Sequence, residues 1–488
     1  MSSLIIENLK SDPMKIRLMH MPQKFEGDSP RAGEMFIYIM AMGLFSLASE
    51  LKKAGHDVEI VHAGMEFLAD PAFDLKKYFI KENPDLLIFS LNWHPQIFET
   101  IEAARAAKRV LPGVKTAFGG FTASVFAEEL LEDFSESVDF IISGDGELPL
   151  VELAQKLSKG EEPEGVPNLF FRKDGKAQSP ATYWCPSEPE FSSYDFADFS
   201  LLRRAESFSA PYIVPPGSTL QSIAGHDVFY LATSRGCTVN CSFCGGGKNA
   251  HGQYFKRSEP IFRNPEAVLH SVAQALDHGM RSVYICFEMP HARQDYYADL
   301  FDAMAREFGS GRIRMLFESS VLPDKRFIES FAHAFDLSGS QYILSPTSCQ
   351  EHLRKRFLGS FYSNAELEKS LAALESAAIE TLLYFSIMPG QSLDQTKEMI
   401  RWQTHLRNRY SALIQTMPIE LEPGAPWALE PDKFGLRILR KSARDYYLHH
   451  KALSCEKIDI QRQVGIDDDA LIKSWRFFEE FERRRSQA

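Results

Sequence analysis

Strand-length apolar runs recur along this chain, each followed by a longer helical pattern, and that alternation restricts the fold more than any other feature. Met14 to His20, Asp57 to His62, Asp85 to Ser90, Val114 to Phe118 and Val138 to Ile142 are apolar at both odd and even positions. A strand with one wet face would alternate, whereas runs apolar on both parities are buried on both sides, as parallel strands covered by helices are. A helical pattern over Glu34 to Ala54 separates the first run from the second. This series predicts a doubly wound, Rossmann-like α/β domain over residues 14–160, with ligands beyond the C-terminal strand ends.

A second series starts with Val228 to Ser234 and continues through Ser282 to Phe287, Arg312 to Phe317, Gln341 to Leu344, Thr381 to Ile387 and Leu413 to Pro418. Six strand–helix units predict a curled parallel sheet over residues 227–425, a partial or closed barrel. Residues 161–226 are broken by Pro163, Pro167, Pro180, Pro186, Pro189, Pro211, Pro215 and Pro216, and carry Trp184, Phe191, Tyr194 and Phe196. A solvated linker would be polar, so this stretch reads as an ordered strap packed between domains. Residues 426–488 form a charged, helical extension, with helical patterns over Lys433 to His450 and Asp467 to Arg485.

Charge narrows the partners. Lys and Arg number 54 against 66 Asp and Glu, a net charge of -12, which does not suit a protein that tracks phosphates. No run of eighteen apolar residues occurs, and Met1 to Pro13 lacks a charged-then-apolar leader pattern, so a membrane span and a secretory route are not expected. Seven cysteines, an odd number in so long a chain, make no disulfide framework.

Three of the seven cysteines lie close together. Thr233-Ser-Arg-Gly-Cys-Thr-Val-Asn-Cys-Ser-Phe-Cys-Gly-Gly-Gly247 places Cys237, Cys241 and Cys244 in a C-x3-C-x2-C spacing on a loop after a strand. A structural zinc would want a fourth Cys or His nearby, and His251 is the nearest later candidate. Three buried free thiols are the plainer alternative. A [4Fe–4S] cluster held by three thiolates leaves one iron open to a substrate or cofactor. The strand context, Phe243 before the last cysteine, and the run Gly245 to Gly247 favour the cluster, because glycines let the loop wrap and present N–H groups.

On these residues the chain resembles the radical S-adenosylmethionine (SAM) superfamily, whose signature is C-x3-C-x-aromatic-C after the first strand of a partial (β/α)6 barrel. The resemblance implies Cys237, Cys241 and Cys244 as cluster ligands, Gly245 and Gly246 as backbone contacts to the methionine part of SAM, and Glu288 as a polar SAM contact. Glu288 reads equally as an acidic strand-end residue facing water, and Ser345 and Ser348 are weaker candidates.

The N-terminal series resembles the cobalamin-binding domain of the B12-dependent radical SAM class. The likeness rests on Leu51-Lys-Lys-Ala-Gly-His-Asp57, on Gly119-Gly120 and on Gly144-Asp-Gly-Glu147, with Val166-Pro-Asn-Leu-Phe-Phe-Arg-Lys-Asp-Gly175 entering the strap. It implies corrin contacts from Ser90, Asn92, Gly119, Gly120, Gly144 and Glu147. Gly144 to Glu147 reads equally as a tight turn before a helix. Domains that ligate cobalt through histidine carry D-x-H-x-x-G, whereas this chain has Asp28-Ser-Pro-Arg-Ala-Gly33, with proline in the histidine's place. His94 is weighed as a cobalt ligand against a solvated loop histidine, and the solvated reading is preferred.

The combined resemblance implies a class B radical SAM methyltransferase, with [4Fe–4S], SAM and methylcobalamin as cofactors. One SAM would methylate the corrinoid, and a second would be cleaved to a radical that activates an unreactive carbon or aromatic centre of a small specialised metabolite. Non-methylating cyclisation, ring contraction or rearrangement is the alternative reading, and a corrinoid or iron–sulfur sensor the non-enzymatic one. A flavodoxin- or ferredoxin-type electron donor and a cytoplasmic site are the further expectations. Glu422-Pro-Gly-Ala-Pro-Trp427 reads either as a segment closing over substrate or as a plain turn. Cys185, Cys286, Cys349 and Cys455 read as packing, with a barrel-mouth role open for Cys349.

Overall fold

The computed structural model describes residues 12–36, 40–207, 228–286 and 293–487. Two compact units divide the chain: Met1–Gln221 with Ala250–Gly279 and Lys441–Lys457, and Ser222–Asn249 with Met280–Arg440 and Ile458–Ala488.

In the first unit β1 (Lys15–His20), β2 (Asp57–His62), β3 (Leu86–Ser90), β4 (Lys115–Gly119) and β5 (Phe140–Ile142) run parallel. The spatial order is β2-β1-β3-β4-β5, so the direction of winding reverses between β1 and β3. At such a reversal the connections leave to opposite faces and a crevice opens beyond the C-terminal ends. The strands are apolar on both faces because both faces are covered: Leu87, Phe89 and Phe118 share one cluster with Ile97, Ile101 and Leu130, and Leu86 and Ile88 of opposite parity are buried as well.

The proline-rich stretch begins as sheet. β6 (Leu169–Lys173) pairs antiparallel with β5, and β7 (Lys176–Gln178) pairs antiparallel with β6. The two-residue turn between them is Asp174-Gly175, with φ of 53° and 77°. An Asp-Gly pair there is the ordinary sequence signal for a tight hairpin. The helix expected from Glu34 starts only at Gly43 and ends at Lys53. Met35–Phe36 instead pairs antiparallel with Gln23–Lys24, which occupies the backbone groups a helix would use.

The second unit holds β8 (Val228–Tyr230), β9 (Ser282–Ile285), β10 (Arg314–Ser319), β11 (Gln341–Thr347), β12 (Glu380–Ile387) and β13 (Leu413–Pro418). All are parallel and lie side by side in chain order, with β8 and β13 at the two edges, so the described sheet is an open, partial barrel. Helices Gln294–Phe308, Lys325–Ala334 and Leu393–Tyr410 connect successive strands. Helix starts follow local chemistry: Ser363 and Ser392 cap their helices and are capped in return by Glu366 and Gln395.

The charged tail is shared. Helix Ala443–Cys455 belongs to the first unit, where Tyr446 meets His94 and Phe126 and Glu129 accepts the Ala443 N–H at 2.7 Å. Helix Asp469–Gln487 belongs to the second. Among the described residues no helix is long and apolar enough to cross a membrane.

Phe317 on β10 anchors the outer layer of the second unit, its ring 5.0 Å from Tyr297 and 4.9 Å from Phe327. Phe317→Ala is expected to cost about 3–5 kcal/mol, read as a lower urea midpoint for the transition of that unit.

Candidate functional site

The cysteine loop leaves the C-terminal end of β8. Cys237 and Cys241 are buried and Cys244 is partly exposed as a residue. Burial pushes all three thiols up, Cys244 to about 12; Cys237 further raises Cys241, and both raise Cys244. Buried thiols on one loop resist ionisation by themselves, and a cationic iron centre reverses that balance by taking thiolates as ligands. The Gly359 N–H donates to Cys241 Sγ at 3.1 Å and the Gly246 N–H to Cys244 Sγ at 3.3 Å, contacts that favour a thiolate.

Two segments far away in sequence brace this loop. Gly359 approaches so closely that a Cβ would lie 2.6 Å from Val239 Cβ and 2.7 Å from the Asn240 nitrogen. Glu422 to Trp427 packs on the loop: a Cβ on Gly245 would meet the Pro423 carbonyl at 2.4 Å, and the Trp427 N–H donates to the Ser242 carbonyl at 3.0 Å. Trp427 is fully buried, edge-on to Phe243 and Phe357, and its indole Nε1 has no hydrogen-bond acceptor among the described residues. A buried N–H left open beside the cysteine loop fits a site completed by a cofactor with acceptor atoms. The segment therefore closes on the cysteine loop itself. Neither Gly359 nor Trp427 stands near the cysteines in sequence, so no spacing pattern signals them.

Among the described residues no three His, Cys, Asp or Glu side chains gather as one ion requires. His251, the candidate fourth zinc ligand, sits in the first unit edge-on to Phe121 and Phe255, where burial lowers its imidazole to about 4. Glu288 lies outside the described residues. Ser348 is tied into its own turn, donating to Gln350 at 2.8 Å.

At the C-terminal ends of β3 and β4, beside the reversal in the first sheet, Ser90, Asn92, Gly119 and Gly120 come together. Ser90 is opposite Gly119 in the ladder, and the Asn92 amide donates to Ser90 Oγ at 2.9 Å. Gly120 has φ of 106°, and a Cβ would lie 2.6 Å from Asn92 Oδ1, so only glycine fits. Gly119 differs: among the described residues a Cβ there would meet only the Ile142 carbonyl, at 3.7 Å. Its bareness is not demanded by the protein and leaves the β4 end open to a flat group, which suits a corrin.

Gly144 and Glu147 are engaged by protein. The Gly144 N–H donates to Ser124 Oγ at 3.2 Å, Asp145 pairs with buried Arg257, and Glu147 accepts from Ser46 Oγ at 2.7 Å, tying helix Glu147–Ser158 to helix Gly43–Lys53. His94 is not solvated. It is buried, with Nδ1 2.7 Å from His450 Nε2, because helix Ala443–Cys455 covers it. The same helix end holds the stretch with proline in the histidine's place, through Asp28 N–H to the Cys455 carbonyl at 2.9 Å and Ser29 Oγ to the Leu453 carbonyl at 3.3 Å. Cys455 itself is exposed, so it is not a packing residue.

A family model for the B12 binding domain matches residues 37–154, and one for the Radical SAM superfamily matches residues 231–402. The chain therefore carries a B12 binding domain and a radical SAM domain. The radical SAM match takes in Cys237, Cys241 and Cys244, and the B12 match takes in Ser90, Asn92, Gly119 and Gly120.

The chain is 26% identical over 275 residues to a hopanoid C-3 methylase of Methylococcus capsulatus, covering 56% of this chain and 47% of that one. It thus spans about half the length of that relative. It is 24% identical over 437 residues to a cytidylyl-2-hydroxyethylphosphonate methyltransferase of Streptomyces wedmorensis, covering 74% and 78%. Its fold is similar to that of the radical SAM methyltransferase TsrM from Kitasatospora setae, solved with cobalamin and a [4Fe-4S] cluster, with a TM-score of 0.64, 17% identity and coverage of 89% and 81%.

Gly359→Ala is expected to displace the cysteine loop. Iron and sulfide bound after anaerobic reconstitution should fall to under about half of wild type, with an unchanged far-UV spectrum, because a Cβ at 2.6 Å must move its neighbour.

Proposed function

We propose that this protein is a cobalamin-dependent radical SAM methyltransferase that acts on a small specialised metabolite, at an unactivated carbon or an aromatic centre. The observation that carries this reading is the presence of a B12 binding domain and a radical SAM domain in one chain. Methylases and methyltransferases among the relatives support it.

In this reading Cys237, Cys241 and Cys244 hold a [4Fe–4S] cluster, with the Gly359 and Gly246 N–H groups steadying two of the sulfurs. Gly245, Gly246 and Glu288 serve SAM. Ser90, Asn92, Gly119 and Gly120 seat the corrin beside the strand reversal, while Gly144 and Glu147 shape the neighbouring turn. When bound, the cluster supplies an electron for SAM cleavage and the corrinoid carries the methyl group. The chain's own task is positioning and exclusion of water, and the buried Trp427 and Phe357 seal one side of the cysteine loop. A flavodoxin- or ferredoxin-type donor supplies the electron, in the cytoplasm.

The test is anaerobic incubation of reconstituted protein with SAM, cobalamin, reductant and candidate small molecules. S-adenosylhomocysteine, 5′-deoxyadenosine and a product heavier by one CH2 are expected, and a Cys237→Ala, Cys241→Ala, Cys244→Ala variant should form no deoxyadenosine. A product of unchanged or hydrogen-poorer mass would mean rearrangement or cyclisation instead. SAM left intact under every condition would leave a binding or sensor protein.

A further inference from the structure

Side-chain parity in the second unit separates an outer face from an inner one. Phe317 of β10, Tyr342 of β11 and Phe385 of β12 point to the helices, Phe385 meeting Trp402 edge-on at 5.7 Å and Tyr342 meeting Phe327 at 5.7 Å. Alternate residues face the concave side. There Tyr230 of β8, Tyr284 of β9, Glu318 of β10 and Tyr384 of β12 collect, with Cys286 just past β9.

The Tyr230 and Tyr284 rings lie 5.4 Å apart, and the Tyr284 hydroxyl donates to Glu318 Oε2 at 2.9 Å. Glu318 is an electrostatic neighbour of all three tyrosines, and Cys286 of two. Burial pushes the Glu318 carboxyl and the three phenols up. Glu318 and Tyr384 are only half-buried. Among the described residues, Glu318 Oε1 and the Tyr384 hydroxyl take no hydrogen bond. A carboxyl near the C-terminal end of an interior strand is costly, and one oxygen left open there is a place for a ligand's donor. Among the described residues no cation acts on the quartet, which disfavours phosphate, and three phenol rings favour a flat aromatic body.

The geometry points to an aromatic-substrate subsite on the concave face of this sheet: Glu318 accepts a hydrogen bond from an N–H or O–H of a planar aromatic molecule flanked by Tyr230, Tyr284 and Tyr384. This deepens the proposed methyl transfer and rests on it for the role of the barrel. Tyr284 is the positioning residue that holds the carboxyl, and Glu318 touches the substrate. The residues are invisible to motif reading because they come from four strands and meet only when the sheet curls.

The test uses the full-length, anaerobically reconstituted protein without SAM and two pairs of probes, indole with 1-methylindole and phenol with anisole, followed by saturation-transfer NMR titration. In the wild type the donor-bearing member of each pair should bind about fivefold more tightly, the size of one net hydrogen bond. Glu318→Leu should bring that ratio to about one, whereas Glu318→Gln, which keeps an acceptor oxygen, should retain it within about twofold. Ser386→Trp, on the same face two residues along β12 from Tyr384, should abolish binding of all four probes, and this variant decides the matter if the Glu318 variants fail to fold. Equal binding within each pair, a ratio unchanged in Glu318→Leu, no binding of any probe, or probes unaffected by Ser386→Trp would overturn the inference. Failure of the methyl-transfer reading shows elsewhere, in wild-type protein that binds the donors selectively yet leaves SAM intact.

Discussion

β1 is hydrogen-bonded in parallel to strands on both sides, with Ile16 opposite Val58 in one direction and Leu86 in the other. Parallel pairing of this kind forces every connection to cross back over a face of the sheet, so all five C-terminal strand ends share one rim. Ser90, Asn92, Gly119 and Gly120 stand on that rim because their strands end there, and no separate device is needed to gather them. The second unit obeys the same rule, since β8 ends where the cysteine loop begins. Both sets of candidate cofactor residues are therefore consequences of strand direction.

Beyond the strand ends the two sets are held by different means. At the cysteine loop, backbone does most of the holding: Gly359, the Pro423 carbonyl and the Ser242 carbonyl define where the sulfurs stand. Buried backbone groups tolerate little displacement, because each must keep its partner. In the first sheet side chains contribute more, through Asn92 to Ser90 and through Thr122, whose hydroxyl donates to the Asn92 carbonyl at 3.0 Å. Helix Ala443–Cys455 adds a cover over the loop after β3, and the His94–His450 contact replaces the water a loop histidine would otherwise hold.

Much of this was legible in order along the chain. Double-parity apolar runs marked the parallel strands, and Asp57–His62 and Leu413–Pro418 coincide with the strands expected there. The hairpin at Asp174-Gly175 carried its own signal, an Asp-Gly pair with positive φ at both residues, set within a proline-rich stretch. The late start of the first helix was not legible, because Met35–Phe36 is taken by Gln23–Lys24, a pairing that local helical periodicity does not reveal. Nor was the state of His94, since its cover comes from a helix more than three hundred residues later.

By itself the sequence determined the parallel strands of the two sheets and the spacing of Cys237, Cys241 and Cys244, because these depend on neighbours along the chain. Tertiary structure alone decided that Gly359 and Trp427 meet the cysteine loop, that Glu147 serves Ser46, and that Tyr230, Tyr284, Glu318 and Tyr384 share one concave face. Those contacts join residues remote in sequence, whose encounter is set by sheet order and curvature, quantities that no local pattern of residues carries.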